Sequence, residues 1–106
     1  MSAVKHIPFL SHLLKIKLTQ RLISALPSEI LRAIWEIALN IKLGNIPLTS
    51  EQTVYFSRRK PIVRKLASRS GTLAKKKALL TPTLLQALLT PAIAYLNNGT
   101  ENEAGS

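Results

Sequence analysis

The sequence predicts an all-α fold: a small bundle of three to four helices followed by short basic and apolar helices. Three observations lead there. Nineteen leucines stand against five aromatic residues in 106 positions, a mix that suits helical cores better than sheets rich in β-branched and aromatic side chains. Apolar residues recur at three- and four-residue steps in several stretches. Proline, threonine and serine punctuate those stretches where helices start and stop.

One small domain is all that this length accommodates. Residues 1–8 are expected to be flexible; they carry one lysine and no apolar run of signal-peptide length before Pro8, so no secretory signal is read. The bundle is expected over 9–68, a basic and then apolar helical extension over 69–96, and a disordered polar tail over 97–106.

From Phe9 to Leu26, Leu10, Leu14, Leu18 and Leu22 fall at four-residue steps with Lys15, Lys17 and Arg21 between them, which predicts one helix with a basic edge. Pro27 ends it, and Ser28 offers an N-cap for a second helix over about 29–43. On that helix Glu29, Arg32, Glu36 and Asn40 share a narrow polar strip, while Ile30, Leu31, Ile34, Trp35, Ile37 and Ile41 fill much of the rest. A helix so apolar belongs at the centre, and the strip's charge spacing predicts ion pairs with Arg32.

Gly44 and Asn45 supply a left-handed stop, and Thr49-x-x-Gln52 has the form of a capping box, so a third helix begins near Ser50. Pro61 breaks or restarts it. Beyond Pro61, Ile62, Val63 and Leu66 form a short apolar stripe beside Arg64, Lys65 and Arg69. Ser70-Gly71-Thr72 is a turn, and Leu73 to Leu80 a short helix. Two Thr-Pro steps, at Thr81-Pro82 and Thr90-Pro91, each place a capping residue before a proline suited to the first helical position, which predicts two short apolar helices.

Cysteine and aspartate are absent, and only two histidines and five glutamates remain. That composition removes disulfides and thiolate chemistry and leaves few groups for acid–base catalysis, so the expectation is a protein that is not an enzyme and uses no cofactor. His6 and His12 lack a third ligand, and no metal site is expected.

Charge placement carries the functional reading. The formal net charge is +10, and nine of the fifteen cations fall in twenty residues: Arg58, Arg59, Lys60, Arg64, Lys65, Arg69, Lys75, Lys76 and Lys77. No acid occurs from Gln52 to Thr100. Cations at helical spacing match phosphates, and each neutralised phosphate releases counterions whatever the base sequence. Nucleic acid, contacted non-specifically through its backbone, is the expected partner. Tyr55 and Phe56 are candidates for base stacking, but adjacent helical residues diverge by about 100°, so at least one belongs to the core.

A second feature suggests other partners. Ala78 to Leu96 is uncharged and directly follows the lysine cluster. Leu79, Leu80, Leu84, Leu85, Leu88, Leu89, Ile93 and Leu96 are therefore candidates for contact with a membrane surface or a protein interface. Core packing and self-association are the alternatives, and a helical adaptor role toward an acidic capsid interior is a third reading.

Several runs also resemble a known family. Gly44-Asn45-Ile46-Pro47-Leu48-Thr49, Gln52, Arg59, Arg64-Lys65-Leu66-Ala67 and Leu73-Ala74-Lys75-Lys76-Lys77-Ala78-Leu79-Leu80 are similar to small basic proteins of adintoviruses and Maverick/Polinton elements, which look like counterparts of the adenovirus core protein X, the precursor of the mu peptide. The resemblance covers about residues 25 to 90. It implies a virion protein that accompanies packaged double-stranded DNA, located in the virion or the host nucleus, with Arg58 to Lys77 matching the family's basic region. The chain departs from the family's Gly-rich tail in its Thr-Pro steps and its glutamate-bearing end.

Overall fold

Capping and proline placement set the order of elements. The computed structural model describes the backbone of residues 2–105 and the side chains of residues 2–97. An N-terminal 3-10 turn (Ser2–His6) precedes seven helices: α1 (Ile7–Lys15), α2 (Gln20–Ser24), α3 (Ser28–Lys42), α4 (Ser50–Ser57), α5 (Lys60–Ala67), α6 (Leu73–Leu79) and α7 (Pro82–Gly105). No strand occurs among the described residues, and the all-α class holds.

The central position expected of the second helix is observed. Helix α3 packs against α5, α6, α7 and the N-terminal turn, and it buries Ile30, Leu31, Ala33, Ile34, Trp35, Ile37, Ala38 and Ile41. The core they join contains no buried polar or charged residue among those described. One buried polar atom stands out: the Trp35 indole Nε1 has no hydrogen-bond partner among the described residues.

The expected stops and starts are mostly found. Gly44 takes φ +78° and Gly71 φ +92°, conformations that a Cβ would strain. The capping box at α4 is complete: the Gln52 amide donates to Thr49 Oγ1 at 3.2 Å, and the Thr49 amide donates to Gln52 Oε1 at 2.8 Å. Pro61 sits in the first turn of α5, where its missing N–H leaves no helical bond unmade.

Several expectations are corrected. The stretch from Phe9 to Leu26 is two helices. Between them, Lys15 to Thr19 alternates exposed and half-buried residues, an extended pattern that turns Ile16 and Leu18 toward the core. Thr19 then caps α2, its Oγ1 accepting from the Leu22 amide at 3.1 Å. Ser28 makes no capping bond and lies within the first turn of α3, after Pro27.

Residues 1–8 are not a flexible lead-in over the part described. Ala3 is fully buried, and the Glu36 carboxylate accepts from the Ser2 hydroxyl at 2.5 Å and from the Ala3 amide at 2.9 Å. Glu36 thus holds the N-terminal turn instead of pairing with Arg32.

The second Thr-Pro step does not start a helix. Helix α7 runs through Pro91, and Leu88, Leu89, Ala92, Ile93 and Leu96 on both sides of it are buried. An interior proline costs about 3 kcal/mol, whereas each fully buried leucine or isoleucine contributes about 1.5–3 kcal/mol, so continuous packing prevails. The Thr90 hydroxyl donates to the Gln86 carbonyl at 2.8 Å in the turn just before the proline. The first step behaves as expected, with Thr81 Oγ1 accepting from the Leu84 amide at 3.1 Å.

Residues 69–96 are likewise no separate extension, because α7 packs on α1 and α3 and its leucines share one core with them. The tail expected to be disordered over 97–106 instead continues the backbone of α7 to Gly105; its side chains beyond Asn97 lie outside the described residues.

Candidate nucleic-acid interface

The basic block occupies three consecutive pieces: the end of α4 with its junction to α5, α5 with the turn after it, and α6. Helix α5 is amphipathic at short range. Val63, Leu66 and Ala67 face inward, while Lys60, Arg64 and Lys65 are exposed. Helix α6 packs beside α5 and has no buried residue. Thr72 caps it, accepting from the Lys75 amide at 3.1 Å. The Gly71 turn between α5 and α6 leaves Arg69 exposed.

The nine cations divide into two groups. Three are bound to the protein itself. The Arg59 guanidinium lies 3.6 Å from the centroid of the Tyr55 ring and donates to the Tyr55 carbonyl at 3.0 Å. Lys76 Nζ donates to the carbonyl of Ser68, the residue that ends α5. Lys77 Nζ donates to the Ser24 carbonyl at 2.9 Å, at the end of α2. Helix C-termini carry unpaired carbonyls and partial negative charge, and an ammonium satisfies both. These two lysines therefore tie α6 to α5 and α2.

Arg58, Lys60, Arg64, Lys65, Arg69 and Lys75 form the second group. They are exposed, and their side chains have no hydrogen-bond partner or counter-charge among the described residues. The geometry leaves six solvated cations on connected elements; Glu51 of α4 lines a depression together with Arg58 and Arg59, with no ion pair between them among the described residues.

The aromatic pair divides as its helical spacing requires. Phe56 is buried, and Tyr55 is half-buried beneath Arg59, meeting Phe56 edge to face at 5.3 Å. Tyr55 presents one ring face to a cation of its own chain, so neither ring is a free stacking platform.

The expected membrane or interface residues are placed differently from the expectation. Leu80, Leu84, Leu85, Leu88, Leu89, Ile93 and Leu96 are core, and Leu79 is half-buried against it. The outward side of α7 carries Thr83, Gln86, Thr90, Ala94 and Tyr95. Among the described residues no single helix is long and apolar enough to cross a membrane; α6 and α7 reach that length only together, bent by 97°. An apolar stretch following lysines fits a lipid surface and a buried helix equally well in one dimension, and only the packing against α1 and α3 separates them.

Sequence reasoning missed one cation of this surface. Lys42, in the last turn of α3, lines the same cleft as Lys60 and Arg64 of α5. Eighteen positions separate it from Lys60, and no short-range pattern joins them; the packing of α3 on α5 does. No group of residues able to hold a metal ion occurs among those described. No protein-family model, curated protein or solved structure matches the chain.

Proposed function

We propose that the chain is a virus- or transposon-encoded structural protein that binds and condenses double-stranded DNA without sequence preference. The observation that carries this reading is the set of six exposed, unpartnered cations between Arg58 and Lys75 in a stretch devoid of acids. In this reading Arg59, Lys76 and Lys77 hold the surface in shape, and Arg58, Lys60, Arg64, Lys65, Arg69 and Lys75 meet phosphates. No groove-reading helix or bidentate base contact is required, since neutralising phosphates releases counterions from any duplex.

Gel-shift titrations on two unrelated duplexes across a range of salt test it. Six phosphate contacts at about 0.9 each give a slope of log affinity against log salt near −5, equal on both duplexes. Replacing Lys65, Arg69 and Lys75 together by glutamine reduces the slope to about −3. A flat salt response, or a strong preference for one duplex, refutes the proposal.

A further inference from the structure

A cleft of about 320 Å³ opens between the end of α3, the segment before α4, and helices α4 and α5. Its walls combine two kinds of surface. Ile41, Leu48, Phe56 and Val63 supply apolar lining, while Lys42, Lys60 and Arg64 supply cations.

The two hydroxyls in the lining are already committed as donors. Thr53 Oγ1 donates to the Thr49 carbonyl at 3.0 Å, and Ser57 Oγ donates to the Val54 carbonyl at 2.8 Å. The free donors in the cleft are thus the three cations. Among the described residues no carboxylate lines it.

We infer that this cleft binds a single-chain anionic amphiphile, an aliphatic carboxylate or alkyl phosphate, with the head group against Lys42, Lys60 and Arg64 and the chain against Ile41, Leu48, Phe56 and Val63. Small-ligand sites have about this volume and this pairing of apolar lining with a few oriented polar groups. A ligand with polar groups along its length would leave them without donors on the apolar walls, which is unfavourable. An aliphatic chain has none. Arginine adds the planar fork that grips a carboxylate or phosphate through two parallel bonds. A second copy of the chain is a poor occupant, because two molecules of charge +10 repel.

The test titrates the full isotopically labelled chain with decanoate below its aggregation concentration, with decanol, acetate and inorganic phosphate in parallel. Saturable methyl shifts at Ile41, Leu48 and Val63 with decanoate alone support the inference. The Lys42→Glu and Arg64→Glu variants, altered at exposed positions, should each bind decanoate at least about tenfold more weakly. Lys60 and Arg64 belong to the DNA-contacting set as well, so Arg69→Glu, outside the cleft, is the separating variant: it should leave decanoate binding unchanged while weakening DNA binding. Decanol binding as well as decanoate, phosphate or acetate alone producing the same shifts, or shifts seen only with vesicles of anionic phospholipid, would each overturn it.

Discussion

Replacing Leu88 by alanine probes whether α7 is a structural helix or a surface for something else. Leu88 is fully buried, and its helix packs against α1 on one side and α3 on another. With helices on two sides the walls cannot collapse far, so a cavity persists. Leucine-to-alanine changes at such sites cost about 3–5 kcal/mol, and about 3 kcal/mol is the expectation here. Set against the ~5–15 kcal/mol that holds a domain of this kind together, that is a large fraction. The assay is urea unfolding followed by the fluorescence of Trp35, which is 7% exposed in the folded chain, and in parallel by far-ultraviolet circular dichroism. With a denaturant slope of about 1.5 kcal/mol per molar, the midpoint falls by about 2 M. Tyr95, on the same helix but 41% exposed, is the matched control, and its alanine variant should stay within about 0.5–1 kcal/mol. If the α7 leucines instead faced lipid or a partner, Leu88→Ala would leave the curve in water within 0.5 kcal/mol of the parent. That result would refute the packing argument.

Glu36→Ala removes the acceptor for both the Ser2 hydroxyl and the Ala3 amide. It should destabilise by about 1–3 kcal/mol and raise the hydrogen-exchange rate of the Ala3 amide while amides of α3 stay protected; unchanged exchange at Ala3 would show that the turn is held by other contacts. Lys77→Met keeps the aliphatic stem but deletes the ammonium that caps α2 through Ser24. A loss of about 0.5–2 kcal/mol in thermal unfolding, with no change in the salt slope of DNA binding, is expected; a slope shallower by about one unit would place Lys77 among the phosphate contacts.

Local signals were readable wherever the information is local. Thr49 and Gln52 lie three positions apart, and the capping box they make needs nothing from elsewhere. Pro61, Gly44 and Gly71 act through their own backbone geometry. The amphipathic pattern of α3 named the central helix because a wide apolar surface has to be covered on most sides. The division of labour among the nine cations was not readable. Lys77 reaches Ser24 across fifty-three positions, and Lys76 reaches Ser68 only because α6 folds back beside α5. Leucines at four-residue steps predict one helix from Phe9 to Leu26, but the same spacing also satisfies an extended segment, in which Ile16 and Leu18 alternate with Lys15 and Lys17 between α1 and α2.

Composition and spacing alone determined the all-α class, the central helix, the capping box at Thr49 and the location of a positive block without acids, since each rests on residue chemistry or on neighbours within a turn or two. Tertiary structure decided the rest: that the apolar run after the lysines is core, that Pro91 stays within a helix, that Glu36 clamps the N-terminus, and that Lys42 joins Lys60 and Arg64. The physical reason is the same in all four. Burial and hydrogen bonding depend on which surfaces meet, and a helix carries the same apolar face whether it ends against lipid, a partner or its own chain.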